Sequence, residues 1–263
     1  MSRIIIVLCY VISIVLNFGL CTTTCKVRII KEKGPDEFAG PFLNVSDFVR
    51  IEYMKVGPIT LNGRFVTLEP MSKGHLDDLW ENGSDQSIWQ WSPEPITTKE
   101  SMAEFIDIAL AEQAKGQSLP FVTRERASGK VVGSTRFGNI DVPNKHVEIG
   151  WTWLAPEWQR TYVNTEAKFL MLTHAFEVWN CIRVEFKTDA LNDKSRNAIL
   201  RIGATREGIH RKHMITKSGR FRDSVYFSII DTEWSDVKSR LMSMLSPAAI
   251  LSSSIDTNSL ELP

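Results

Sequence analysis

The sequence predicts an α+β fold in which a central mixed sheet of about seven strands is flanked by helices. Three observations carry this expectation. From Val56 onward, strand-like and helix-like patterns alternate. The turn signals Ser128-Gly129 and Ser218-Gly219 each join two strand-like runs. The stretch from Trp151 to Arg206 reads as strand, polar loop, helix, strand, capped helix and glycine break. From Pro120 on, the resulting order is β-β-β-α-β-α-β-β.

Taken in order, Arg64 to Glu69 is a short strand after the Asn62-Gly63 turn, with Phe65, Val66 and Leu68 apolar. Leu76 to Trp80 starts a helical turn. Thr97 or Thr98 can cap the next helix, where Glu100 and Glu104 suit the early turns and Met102, Phe105, Ile106, Ala109 and Leu110 form one face. Gly116 ends it. Three antiparallel strands follow at Pro120 to Glu125, Val131 to Phe137 and His146 to Leu154, with Asp141, Pro143 and Asn144 marking the loop before the third. After Asn164, the residues Ala167, Leu170, Met171, His174, Ala175 and Val178 recur at helical spacing. Arg183 to Asp189 is a strand and Asn192 to Ile202 a helix. Glu207 to Ile215 and Phe221 to Ile230 close the domain as a hairpin.

The chain has 263 residues, long for one ordinary domain but suited to one domain with extensions. The expected partition is an apolar segment at 1–25, a linker or extension at 26–55, the folded domain at 56–245 and a disordered, serine-rich tail at 246–263. In the first segment Arg3 precedes an apolar run from Ile4 to Leu20, followed by Cys21 and three threonines. That pattern fits a secretory signal. It also fits a membrane anchor through residues 4–20, and Lys26, Arg28, Lys31 and Lys33 behind it favour a cytoplasmic location for the rest. An upstream extension from a misplaced start codon is the third reading. Charge is balanced, with 31 basic and 31 acidic residues, which gives no reason to expect nucleic acid. Four cysteines make no disulfide framework, since Cys9, Cys21 and Cys25 lie in or beside the apolar segment and Cys181 stands apart as a small core residue. The triplets at Asn44 and Asn82 match a glycosylation pattern that is frequent by chance.

The loop from Gln159 to Asn164 meets a helix start, where free backbone N–H groups and the positive dipole end favour a phosphate without a Walker lysine. With the run Asn192-Asp-Lys-Ser-Arg-Asn-Ala-Ile-Leu-Arg-Ile-Gly-Ala204 and the following Arg206, Glu207 and Gly208, this region resembles the GCN-type N-acetyltransferase superfamily (GNAT), and within it the RimJ/RimL-like branch. The resemblance spans roughly Val56 to Leu245. It implies a GNAT-like sheet and an N-acetyltransferase that moves an acetyl group from acetyl-CoA to a primary amine of a protein N-terminus or small molecule by direct attack on the thioester. No metal is implied. Acetyl-CoA is chiefly intracellular, so a cytoplasmic catalytic domain is expected, with anchoring or secretion left open. The oligomeric state is open too, a homodimer included.

The resemblance also assigns roles. The backbone of the strand Trp151 to Leu154, with Trp153 and Leu154 at its end, would pair with pantetheine, because the sheet splays between it and Arg183 to Thr188. Gln159, Arg160, Thr161, Tyr162, Val163, Asn164 and Thr165 would meet the pyrophosphate, Arg160 alternatively being a solvated surface residue. Asn192 would lie against the pantetheine arm and equally suits the N-cap of its helix. Ser195 matches the position of a hydroxyl near the thioester sulfur, able to protonate the leaving thiolate, or is an ordinary first-turn serine. Glu148 is the candidate base, or a strand carboxylate paired with a neighbour such as Arg136. The family loop usually reads Gln/Arg-x-x-Gly-x-Gly/Ala, and Tyr162 stands where the branch commonly has glycine. An alternative reading follows from that departure: a non-catalytic acyl-CoA-binding or sensing domain, with Tyr162 filling part of the pyrophosphate loop.

Other signals read as bland. His210 and His213, three apart on a strand, should point to opposite faces and make a poor metal pair. His174 reads as a core or groove residue. Arg211, Lys212, Lys217, Arg220 and Arg222 give the closing hairpin a basic rim. Trp89 and Trp91 lie in a loop expected to cover the acceptor groove, where they would shape amine specificity or simply pack.

Overall fold

The computed structural model describes residues 54–249. Its strands are β1 (Leu61–Asn62), β2 (Val66–Pro70), β3 (Leu119–Glu125), β4 (Val131–Asp141), β5 (His146–Leu154), β6 (Arg183–Asp189), β7 (Thr205–Ile215) and β8 (Phe221–Ile230). They form one sheet in the order β1-β2-β3-β4-β5-β6-β8-β7. Among the described residues there are eight strands where about seven were expected. The extra one is β1, two residues folded back on β2 by the Asn62-Gly63 turn, too short to leave an alternating pattern. Neighbouring strands are antiparallel except β5 and β6, which makes the sheet mixed.

Alternation along the strands gives the sheet two apolar faces, each covered by helices. On one face, Phe121, Val147, Ile149 and Leu154 pack with α3 (Tyr162–Thr173), α4 (Asp193–Arg201) and α5 (Trp234–Met244) through Val163, Met171, Ile199, Val237 and Leu241. On the other, Val122, Val131 and Trp153 pack with α1 (Leu76–Gly83) and α2 (Lys99–Ala114) through Leu79, Met102, Ile106 and Ala109. Thr98 caps α2, its side chain accepting from the Ser101 amide. Cys181 is buried in the first of these cores, and burial pushes its thiol up to about 11, as suits an inert core residue. His174 packs its ring against Phe137 and Trp179, and burial lowers its pKa. Val178, placed on the apolar face of α3 by its spacing, is instead exposed. The backbone widens into a π turn over His174–Val178, and the extra residue in that turn breaks the helical phase.

At Gly133 the β4–β5 pair leaves no room for a side chain. A Cβ there would lie 2.1 Å from the Trp153 carbonyl oxygen, a backbone atom that cannot rotate away. Gly133→Ala is expected to cost about 1–3 kcal/mol through the forced strand shift. The midpoint of denaturant unfolding reads that loss, and an unchanged midpoint would show that the strands part freely.

The expectations for residues 1–25, for nearly all of 26–55 and for the tail from residue 250 lie outside the described residues. Among the described residues, no helix is long and apolar enough to cross a membrane.

Candidate active site

Strands β5 and β6 pair in parallel only at His146 with Arg183, Val147 with Val184 and Glu148 with Glu185. Beyond Glu148 the ladder ends, although β5 runs on to Leu154 and β6 to Asp189. The opening has a local cause. Trp151 takes a left-handed backbone (φ 49°) and the β4–β5 register shifts between Ser134 and Arg136, so β5 bulges and turns away from β6. Gly138 is required beneath the bulge, because a Cβ there would fall 2.3 Å from the Trp151 ring. Arg136 is held with its guanidinium 4.9 Å from the Trp151 ring centre, 5.0 Å from that of Phe105, and bonded to Glu112 at 3.0 Å. Burial lowers its pKa to about 10, so it stays charged at neutral pH.

Glu148 is the last residue of the closed ladder and is buried. Its Oε2 accepts from Asn139 Nδ2 at 2.7 Å and lies 3.2 Å from Lys187 Nζ on β6. Arg136, the neighbour suggested as its partner from sequence, is instead spent on Glu112. Lys187 can reach it because Glu148 is paired with Glu185 on β6, and Lys187, two residues on, points to the same face. The groove continues past Lys187 to Tyr226, whose hydroxyl is 3.3 Å from His213 Nε2, while His213 Nδ1 is 3.0 Å from Ser224 Oγ. His210 and His213 do not point to opposite faces. The β7 register shifts between His210 and Met214, with Lys212 left-handed (φ 48°), and the two rings meet at 5.5 Å. Among the described residues, no group of three or more His, Cys, Asp or Glu could hold a metal ion.

The loop between α1 and α2 arches across to touch the β7–β8 turn. The Lys217 amide donates to the Pro93 carbonyl at 2.9 Å, and the Arg220 guanidinium sits 5.7 Å from the Trp91 ring centre. Beneath the arch is a cavity of about 230 Å³ lined by Trp89, Gln90, Pro93, Thr216 and Arg220 among others. The two tryptophans part company here. Trp89 is buried and donates its indole N–H to the Gly83 carbonyl, so it packs, whereas Trp91 faces Arg220 at the rim. At the far end of β6, buried Asp189 bonds Arg220 and accepts from the Leu191 amide, with Arg222 alongside. Asp189, Lys187 and Asn139 were not singled out from sequence. The alternation Arg183, Glu185, Lys187, Asp189 was the available signal, a strand with one wholly charged face.

On the other side of the opening, the loop before α3 commits most of its side chains inward. Gln159 Nε2 donates to the Leu154 carbonyl at 3.1 Å and ties the loop to the end of β5. Thr161 caps α3, accepting from the Val163 amide. Val163 is in the core, and Thr165 accepts from Arg201 of α4 at 2.9 Å. Tyr162 packs on Phe65, ring centres 4.8 Å apart, and its hydroxyl is 3.2 Å from Glu125 Oε1. Burial and the Glu125 charge both raise its pKa. The left-handed residue of this loop is Arg160 (φ 63°), which is exposed, while Tyr162 opens the first turn of the helix. Glycine's freedom at position 162 is therefore not needed by this path. Asn164 Oδ1 is buried without a hydrogen-bond partner beside the same helix start. What the loop offers an anion is thus main-chain N–H groups and the Arg160 cation. Trp153 and Leu154 bury their side chains on opposite faces of the sheet, so they too can present only backbone.

Asn192 caps α4, its Oδ1 accepting from the Ser195 amide at 2.9 Å, and half-buried Ser195 stands in the first turn. Both follow the end of β6, where the Asn192 amide donates to the Asp189 carbonyl. One strand end therefore carries Asp189, Asn192 and Ser195 to the opening that Glu148 closes.

Comparison with known proteins fits this geometry. The family described as acetyltransferase (GNAT) domain matches residues 66–205. YdaF of Bacillus subtilis (strain 168), named as a candidate ribosomal N-acetyltransferase, is 34% identical over 110 residues, which cover 42% of this chain and 59% of YdaF. The chain thus spans less than two thirds of that relative's length. A crystal structure of a GCN5-related N-acetyltransferase from Brucella melitensis is 33% identical, covers 73% of this chain and 87% of its own, and superposes with a TM-score of 0.68. Mycobacterium smegmatis RimJ in complex with CoA-disulfide is 23% identical, covers 72% of this chain and 93% of its own, and shares the fold at a TM-score of 0.59.

Proposed function

The chain belongs to the acetyltransferase (GNAT) family, an acyltransferase by kinship, and from that premise we propose that it transfers an acetyl group from acetyl-CoA to a primary amine of a protein N-terminus or a small molecule. The observation that carries the proposal is the parting of β5 from β6 immediately after a buried carboxylate. The residues at the opening suit the coenzyme. The backbone of Trp151 to Leu154 would hold its arm. The α3 start with Arg160, Thr161, Asn164 and the neighbouring amides would hold its phosphates, and Asn192 would lie along the arm. Bound there, acetyl-CoA supplies the acetyl group as an activated thioester. Glu148 is proposed to take the proton that the amine sheds as it attacks, directly or through a water, with Lys187 and Asn139 fixing the carboxylate's orientation. Ser195 is proposed to give its hydroxyl proton to the departing sulfur. The α1–α2 arch would exclude water and select the amine through Trp91 and the β7–β8 turn.

The kinship with YdaF supports a protein N-terminus as acceptor, and the RimJ complex supports a coenzyme A ligand. A cytoplasmic workplace follows for the catalytic domain if acetyl-CoA is the donor. The non-catalytic alternative loses its particular support, because Tyr162 is turned against Phe65 and Glu125. Two measurements test the proposal. Titration calorimetry should show acetyl-CoA binding, and mass spectrometry of amines and N-terminal peptides incubated with enzyme and acetyl-CoA should show an acetylated product. No binding at all would overturn it. With an acceptor in hand, Ser195→Ala is expected to lower kcat about 10²-fold while leaving acetyl-CoA affinity within about twofold. Unchanged turnover would remove Ser195 from the chemistry.

A further inference from the structure

Lys168, in the second turn of α3, is buried, yet among the described residues no carboxylate meets it. Its Nζ lies 2.6 Å from Thr152 Oγ1 on β5 and 3.2 Å from Thr135 Oγ1 on β4, and the two hydroxyls are 2.8 Å apart. These three groups form a closed ring of hydrogen bonds. A neutral amine both donates and accepts, so each member of the ring can do one of each, whereas an ammonium can only donate. Thr152 directly follows the left-handed Trp151, in the part of β5 that has left β6. The ring therefore clamps the bulged strand from the α3 side at its open edge.

We propose that Lys168 is a positioning residue for donor binding: its amine, tied to Thr152 and Thr135, holds the open edge of β5 in the path along which an acyl thioester arm would pair. This rests on the function proposed above. Burial, with no opposing charge, lowers the Lys168 pKa to about 7. The charged groups around it are engaged elsewhere. On β4 and β5, Arg136 and Glu148 point into the opposite layer, to Glu112 and Lys187. On β3, Glu125 faces the first turn of α3, where Ser128 and Tyr162 occupy it. On β2, Glu69 is paired with Arg124. On α3 itself, Glu166 binds the amides of Arg64, Phe65 and Val66, and His174 in the turn that follows packs on Phe137 and Trp179. Arg201 of α4 reaches Thr165, while Lys238 of α5 pairs with Glu177.

A solitary buried amine is a burden on the fold, which is the reason to look for its use. The sign follows from where the proton goes. The unfolded chain keeps the lysine proton to about 10.4 and the folded chain releases it near 7, so the penalty is complete below pH 7 and fades as pH rises toward 10.4. Lys168→Met should therefore raise the melting temperature at pH 7, by about 4 °C or more, and the gain should shrink toward pH 10. The same variant should bind acetyl-CoA about tenfold more weakly at pH 8. The wild-type advantage over Lys168→Met should shrink as pH falls through 7, a ratio in which the coenzyme's own phosphates cancel. Thr152→Val should weaken binding similarly, and the double variant should add little to either. Titration calorimetry between pH 6 and 9 reads all of this, and Thr152→Val decides the matter should Lys168→Met fail to fold. Wild-type-like affinity in the variants would overturn the role of Lys168 alone. Absence of acetyl-CoA binding by the wild type would overturn the proposed function and this inference with it.

Discussion

Glu166→Ala is expected to destabilise the domain by about 2–6 kcal/mol, the largest stability loss foreseen for a single side chain here. The Glu166 carboxylate reaches from α3 across to the turn between β1 and β2. There Oε1 accepts from the Arg64 amide at 2.8 Å, and Oε2 accepts from those of Phe65 and Val66 at 2.6 Å each. Val66 is buried and Phe65 half-buried, so truncation strands two donors, each costing about 1–3 kcal/mol without a partner, while the amide of exposed Arg64 turns to water. Against a typical total of about 5–15 kcal/mol, that brings the domain near its threshold. Gly63 belongs to the same arrangement, since a Cβ there would lie 2.6 Å from the Glu166 carboxyl. Glu166→Gln should be intermediate, because its amide nitrogen would face an N–H where an acceptor is needed. Denaturant titrations of the three proteins read the series. A loss under about 1 kcal/mol for the alanine variant would show that water takes over all three amides.

Glu148→Gln is expected to lower kcat about 10²–10⁴-fold at pH 7, the range in which positioned general bases contribute. Glutamine keeps the shape and the contact with Lys187 but cannot take a proton. The loss should depend on the acceptor in a definite direction. An α-amine, with a pKa of about 8, is largely neutral by pH 9 and then needs little help, so the defect should shrink between pH 7 and 9. A lysine acceptor, near 10.4, would keep the defect over the same range. The pH–rate comparison thus tests the base and sorts the acceptor class together. Equal turnover of the variant and the wild type at pH 7 would mean that the proton leaves by another route. Acetyl-CoA affinity should change little, since Glu148 lies on the face opposite the α3 start.

Most elements from Leu119 to Ile230 lie within two residues of their expected spans, because their signals are local, but β4 runs past Phe137 to Asp141 and α3 starts at Tyr162, inside the expected loop. Ser128-Gly129 and Ser218-Gly219 make tight turns, Asn192 caps its own helix three residues on, and alternation sorts each strand's faces. Departures came where a single residue breaks a period. Trp151 and Lys212 adopt left-handed backbone at bulges, and the π turn at His174–Val178 adds a residue to a helix. Nothing in the residue types at these places announces the break, so an unbroken period puts Val178 on one helical face with Ala167 and Met171, and the two histidines on opposite faces of a strand. The charge partners of Glu148 and Asp189 were equally hidden. Lys187 meets Glu148 because β6 lies beside β5, and Arg220 and Arg222 meet Asp189 because β8 lies beside β6, neighbours that are distant in sequence.

What the sequence by itself determined is the order of elements and the caps of α2 and α4, since these rest on capping, turn chemistry and periodicity within a few residues. Only the tertiary structure decided where β5 parts from β6, which side chains Glu166 and Lys168 meet, and that Tyr162 turns away from the loop it follows. Those outcomes depend on burial and on pairings between distant strands, where one buried amine or carboxylate is stabilised or stranded by groups that no local pattern can name.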